Sequence, residues 1–204
     1  KNILRYSEIK NEFLSIPPGA REHLVRAYHE FEFDSHLHML YPHSHYRGRS
    51  SKVILEYPGG DKELLLSVPN YNFNWQFGYS FDEPKKVPAG SKLIYHTVYD
   101  NSMHNEFNPD ASRRVPWGLQ THDEMLFAPF TFTIDQENVN NIIYNPRKLM
   151  FARQKGYYDK NWDGVISRDE VPQKARRLYY PIFHKGDKNA DEALDLNELM
   201  SVIK

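Results

Sequence analysis

Two twelve-residue stretches near the C-terminus repeat one spacing of oxygen-bearing side chains, and that spacing restricts the fold there severely. The first, Asp159–Glu170, reads DKNWDGVISRDE. It places Asp159, Asn161 and Asp163 at positions 1, 3 and 5, Gly164 at 6, Val165 at 7 and Glu170 at 12. The second, Asp187–Glu198, reads DKNADEALDLNE and places Asp187, Asn189, Asp191, Ala193, Asp195 and Glu198 in the same register. A hard divalent cation such as calcium needs about six to eight oxygen ligands. One short peptide supplies them when carboxylates and amides alternate, a backbone carbonyl fills position 7 and a glutamate closes position 12.

One such run could be a solvated turn. Two in register, with Ile166 and Leu194 both at position 8, make a paired EF-hand the expectation. The calcium ligands are then Asp159, Asn161, Asp163, the Val165 carbonyl and Glu170, and Asp187, Asn189, Asp191, the Ala193 carbonyl and Glu198. Glu192 stands where the turn at position 6 favours glycine. A positive φ costs a residue with a Cβ about 1 kcal/mol, so the second loop is expected to bind more weakly.

The chain has 204 residues, 40% of them hydrophobic and 14% aromatic, enough for one domain with a real core and a small appendage. Cysteine is absent, which removes disulfides, thiolate metal sites and cysteine nucleophiles. A net charge of −1 offers no general attraction to nucleic acid. No apolar run approaches the ~20 residues of a membrane span. The chain starts at Lys1 rather than methionine, as expected of a processed product or a fragment.

Hydrophobic patterning divides the rest. Residues 1–26 read as a lead-in, with turn chemistry at Ile16-Pro17-Pro18-Gly19. Strands are expected at Val53–Tyr57, Glu63–Val68, Phe73–Phe81, Lys92–Tyr99 and Phe127–Ile134, separated by Pro, Gly and Asn. Over 27–136 this predicts a mainly β chain, an antiparallel jelly roll or β-sandwich. Residues 137–204 are expected to form the small α-helical EF-hand pair. Asn145-Pro146 predicts a helix start with proline in the first turn, running to about Tyr158. The last helix is expected over Asp195–Ile203.

Ten histidines are present, and His36, His38, His43 and His45 fall within ten residues. Each His-x-His pair lies on one face of a strand, because side chains alternate. Such a pair chelates copper or zinc. His23, His29, His96 and His184 read as structural or surface residues.

Pro42-His43-Ser44-His45-Tyr46-Arg47-Gly48-Arg49 resembles the P-H-x-H-x-R-G-K segment of bacterial relatives of the copper type II, ascorbate-dependent monooxygenases. Peptidylglycine hydroxylating monooxygenase and dopamine β-monooxygenase are the best-known animal members of that family. Val68-Pro69-Asn70-Tyr71-Asn72-Phe73-Asn74-Trp75-Gln76 is similar to its V-P-x-Y-x-F-x-W-Q. Pro88–Ser91, Tyr99–Ser102 with Asn108-Pro109, and Trp117–Met125 follow in the family's order, and Ile16–Ala20 belongs to the pattern upstream. The resemblance covers about residues 13–134, and is to the C-terminal of the two copper domains.

The resemblance implies a copper site on His43, His45 and Met125, with His36, His38, His104 and His122 extending it or building a second site. It implies an oxidoreductase that hydroxylates an activated C–H of a small molecule, using dioxygen and an ascorbate-like reductant, beside aromatics such as Tyr71, Phe73 and Trp75. It also implies a periplasmic or extracellular setting, which calcium loops suit. The family's second copper sits on a preceding domain outside the matched segments, so a partner domain or subunit carrying it is expected. A non-catalytic copper-binding or electron-relay subunit therefore stands as the alternative. A calcium-stabilised structural module is a third reading, and zinc in the histidine site is chemically open.

Overall fold

Period-two burial organises the chain as far as Tyr144 and builds two antiparallel sheets. The structure, a computed structural model, describes residues 1–202. It divides into two units, Lys1–Tyr144 and the residues from Asn145 onward. In the first unit one sheet has the order β1 (Arg5–Lys10), β10 (Phe127–Ile134), β4 (Ser35–Leu40) and β7 (Tyr79–Val87). The other runs β3 (His23–Glu30), β8 (Lys92–Tyr99), β5 (Gly48–Glu56) and β6 (Lys62–Val68). A two-stranded ribbon joins β2 (Ser15–Ile16) to β9 (Val115–Pro116).

Ile9, Leu37, Phe130 and Phe132 from the first sheet and Ala27, Val53, Leu55, Leu93 and Tyr95 from the second are buried. Two antiparallel sheets with such inner faces make a β-sandwich arrangement. His29 is buried among aromatic rings, its centroid 5.0 Å from both Phe31 and Phe130.

Three expectations need correction. Residues 1–26 are not a lead-in. β1 pairs with β10 from Arg5↔Phe132 to Lys10↔Phe127, and β3 pairs with β8 from His23↔Tyr99 onward. The alternation in β1 is hard to see because an edge strand turns polar residues outward, and only Ser7 and Ile9 are buried. The first unit also extends past Gln136. Glu137, 1% exposed, accepts hydrogen bonds from Arg5 Nε (2.9 Å) and Nη2 (3.0 Å) and from the amides of Ile143 (2.9 Å) and Tyr144 (2.7 Å). The Arg5 guanidinium lies 4.3 Å from the centroid of the Tyr144 ring and closes the clasp.

The third correction is local. The strand expected over Phe73–Phe81 starts only at Tyr79. Asn72 Oδ1 accepts the amide of Asn74 (2.9 Å), and the Asn72 carbonyl accepts the amide of Trp75 (2.9 Å). A side chain that mimics backbone in this way diverts the segment into a turn despite its aromatic residues.

The second unit holds α1 (Pro146–Tyr158), α2 (Gln173–Gly186) and α3 (Leu196–Val202), with β11 (Ile166–Ser167) paired antiparallel to β12 (Ala193–Leu194). α1 begins as expected: Pro146 follows Asn145, whose Oδ1 accepts the amides of Arg147 and Lys148. Phe151, Tyr158, Tyr179, Phe183 and Leu199 are buried, and the Tyr158 and Tyr179 rings are 4.8 Å apart. Ile203, the expected end of the last helix, lies outside the described residues. Among the described residues no helix is long and apolar enough to cross a membrane.

His96 in β8 gives the first unit an acid sensitivity. It pairs across the ladder with Arg26 of β3 and Lys52 of β5. Burial first, then the positive neighbours Arg26, Lys52 and Lys62, hold its imidazole below the ordinary value near 6.5. The unfolded chain therefore takes up the proton more readily than the folded one. The stability from neutral His96 is present above pH ~6.5 and is lost as the pH falls through that window. Melting temperatures measured from pH 7.5 to 5 should drop less steeply for His96→Gln than for the native chain. Equal slopes would remove His96 from the acid response.

Candidate metal centres

His43 and His45 lie in the turn between β4 and β5, where strand pairing has just ended. The His43 amide donates to the Phe127 carbonyl (2.9 Å), which fixes this turn against the start of β10. Alternation puts both imidazoles on one side, with ring centroids 5.2 Å apart and planes at 82°. Met125 stands two residues before Phe127 and is 8% exposed.

Glu124 fastens these segments together. Its side chain is wholly buried. Oε2 accepts the amides of His45 (2.8 Å) and Met125 (3.0 Å), and Oε1 accepts the amide of Arg47 (2.6 Å). One carboxylate thus holds the backbone of two expected ligands. Burial pushes it up to about 7, against the pull of the three amides and of Arg47. Arg47 is also fully buried, donating from Nε to Asn101 Oδ1 (2.9 Å) and from Nη1 to the His122 carbonyl (2.9 Å). The Tyr99 hydroxyl donates to the Met125 carbonyl (2.8 Å).

Both imidazoles are oriented by oxygen acceptors. His43 Nδ1 meets Gln76 Oε1, whose own Nε2 donates to the Phe73 carbonyl (2.6 Å). His45 Nδ1 meets the Asp123 carbonyl at 3.3 Å. Neither oxygen has a proton to give, so each Nδ1 is the donor in these pairs. Burial lowers both imidazoles below the ordinary histidine value, favouring the neutral form that binds a metal. The Phe127 ring stands edge-on to His43 at 6.0 Å, and Phe73 to His45 at 6.1 Å. Two neutral imidazoles with oriented outer nitrogens, and a methionine whose amide shares Glu124 Oε2 with the amide of His45, are a donor set that fits copper.

The other candidate histidines have different partners. His36 Nδ1 meets Asp135 Oδ1 (2.9 Å) and His38 Nε2 meets Thr133 Oγ1 (3.1 Å), across the β4–β10 ladder. His104 lies in the exposed loop after β8. His122 is exposed, and its ring is 3.9 Å from Asp123 Oδ1. Of the expected aromatic lining, Phe73 borders His45, the Tyr71 hydroxyl is engaged by Ser44, and Trp75 is 69% exposed against Phe77.

In the second unit the two acidic loops share one backbone design. Asp159 accepts the amides of Trp162 and Gly164, Asn161 that of Asp163, and Asp163 that of Val165. Glu170 reaches back to the amides of Lys160, Asn161 and Ser167. Asp187 likewise accepts the amides of Asp191 and Glu192, Asp191 that of Ala193, and Glu198 those of Lys188 and Asp195. Among the described residues no three His, Cys, Asp or Glu side chains are drawn together as a finished metal shell. The loop carboxylates are occupied by loop amides. Ile166 pairs with Leu194, placing position 8 of one loop against position 8 of the other.

No family model matches the chain. A structure of infectious bursal disease virus, Gx strain, aligns at 12% identity and a TM-score of 0.27, covering 97% of this chain and 52% of that one. A Gt strain structure aligns at 9% identity and a TM-score of 0.15, covering 90% and 52%. This chain spans about half the length of either, and overlaps this shallow carry no argument about function.

Glu124→Ala should lower the stability of the chain by about 3 kcal/mol or more, because it strands three buried amides and the buried Arg47 cation. Glu124→Gln keeps one acceptor oxygen and should cost less. Urea unfolding measures both, and a loss under about 1 kcal/mol for the alanine variant would remove Glu124 as the fastening group.

Proposed function

We propose that the first unit is a monooxygenase-like, jelly-roll copper domain, with the metal on His43, His45 and Met125. We further propose that the second is an EF-hand pair that takes calcium. The observation that carries the copper reading is the pair of imidazoles, 5.2 Å between centroids, with both Nδ1 atoms held by oxygen acceptors. The resemblance of residues 13–134 to the copper type II monooxygenases supplies the reaction class. Copper bound there would supply the one-electron chemistry with dioxygen needed to hydroxylate an activated C–H, drawing on an ascorbate-like reductant.

The chain's own groups have separate tasks in this reading. Gln76 and the Asp123 carbonyl fix the ring orientations of His43 and His45. Glu124 sets the spacing between the His45 and Met125 backbones. Phe127 and Phe73 cover the edges of the imidazoles and limit water beside them. A secreted or periplasmic location follows from the same resemblance.

Metal analysis of the purified protein, followed by ascorbate-driven oxygen uptake, tests the reading. One copper per chain with uptake, both lost in His45→Ala, is the expected result. Copper without uptake would favour the electron-relay subunit, and no copper would overturn both.

The calcium reading rests on the repeated inward-turned carboxylates and on the Ile166–Leu194 pairing. Calcium should raise the melting temperature by mass action, and Glu170→Gln should remove most of that gain. Glu192→Gly should tighten the second loop, since it relieves a positive φ of 63°. Calorimetry with calcium after chelation checks all three. No thermal gain with calcium would sink the reading.

A further inference from the structure

A cavity of about 370 Å³ opens beside the histidine pair, between the Tyr46–Arg49 turn, the loop 70–74 and the loop 100–107. We propose that it binds an uncharged saccharide ring. If the copper reading holds, this names the substrate class of that same centre, but the binding itself does not require the metal. The link between the two is Phe73. Its ring lies 4.8 Å from that of Tyr46 inside the cavity and 6.1 Å from His45.

The walls are fixed in advance of any ligand. Asn105 donates to the carbonyls of Tyr46 (3.2 Å) and Asp100 (2.8 Å) and accepts the amide of Phe107 (3.1 Å), so its side chain is committed to structure. The Tyr71 amide donates to the Arg49 carbonyl (2.8 Å), and its hydroxyl bridges the backbone of Ser44. Gly48 is required here. A Cβ at that position would stand 2.6 Å from Ser44 Cβ and 2.9 Å from the Tyr71 ring. A preformed cleft of this size is on the scale of a small-molecule site.

The chemistry left over selects the ligand. Asn72 uses its oxygen on the Asn74 amide, which leaves its NH2 as a donor. Asp100 uses Oδ1 on the Ser102 amide, which leaves Oδ2 as an acceptor. Asn70 and His104 also line the cavity and can both donate and accept. The rings of Tyr46, Phe73 and Phe107 offer apolar faces, and Phe107 is 58% exposed.

Charge and hydrogen-bonding capacity argue against ionic ligands. Arg49 is already paired with Glu22 (2.8 Å), while Asp100 and Glu106 would repel an anion. An ammonium group can only donate, so it would leave the Asn72 NH2 without an acceptor. A ring with hydroxyls at its rim and C–H bonds on its faces satisfies the scattered donors and acceptors and the aromatic walls together. An apolar ligand would leave these polar groups unpaired.

The experiment titrates the whole chain as purified with cellotriose, xylotriose, maltotriose and the N-acetylglucosamine trimer, followed by calorimetry and by NMR. Tyramine and triglycine serve as the cationic and peptide comparisons. At least one trisaccharide should bind with a Kd of about 1 mM or tighter, weakened tenfold or more by Asn72→Ala and by Phe73→Ala. Asn72→Asp keeps the oxygen that accepts the Asn74 amide and removes only the NH2 donor, so it should weaken binding likewise and remains informative if either alanine variant fails to fold. Binding of none of the four sugars, tighter binding of tyramine or triglycine, or unchanged affinity in Asn72→Ala would overturn the proposal. Sugar binding without oxygen uptake would leave this site standing and remove only the monooxygenase reading.

Discussion

The carboxylate of Glu124 is the group on which the geometry of the first unit turns. It is buried, and it gathers the amides of His45, Arg47 and Met125 onto two oxygens. A neutral side chain of that size could accept fewer of them. A buried carboxylate needs compensation, and three amides with a buried guanidinium nearby provide it. Arg47 in turn reaches Asn101, whose amide nitrogen donates to the carbonyls of Pro17 and Arg113 (2.9 Å each). The chain from Glu124 to Asn101 therefore connects the histidine turn with three other loops. Rigid loops are what a metal site needs if its imidazoles are to keep one angle.

That network explains why some of the site was legible in the sequence and some was not. The period-two alternation of His43 and His45 is local, and so is the Pro-after-Asn start of α1. Gln76 and Glu124 are different. Their contacts to His43 and His45 span 33 and 79 residues. No periodicity reports a contact at that range, and both residues stood in the sequence only as letters within longer motifs. The polar edge strand β1 was hidden for a related reason. Its identity depends on β10, more than a hundred residues away, and only two of its six side chains are buried to mark it. The turn at Asn72 misleads in the opposite direction, because one side-chain oxygen outweighs the strand preference of Tyr71, Phe73 and Trp75.

His36 and His38 show that spacing alone does not assign a role. They repeat the His-x-His pattern, yet their ring nitrogens meet Asp135 and Thr133 along the β4–β10 pairing, whose register shifts at His38. His43 and His45 instead follow the end of that ladder, where the chain turns and the carbonyl of Asp123 and the side chain of Gln76 become available. The difference lies in what faces each pair, and tertiary structure alone supplies it.

The two acidic loops carry the same lesson into backbone conformation. Gly164 has φ 94° and Glu192 has φ 63°, so both chains bend the same way at position 6. Position 4 agrees as well, with Trp162 at 67° and Ala190 at 59°. Glycine is therefore not what makes the turn. The aspartate at position 1 does so, since Asp159 Oδ2 accepts the Gly164 amide at 2.9 Å and Asp187 Oδ2 accepts the Glu192 amide at 3.1 Å. Each carboxylate pulls the position 6 amide inward, and the residue there follows whether or not it has a Cβ. Glycine lowers the strain of that bend by about 1 kcal/mol, an adjustment of affinity rather than of shape.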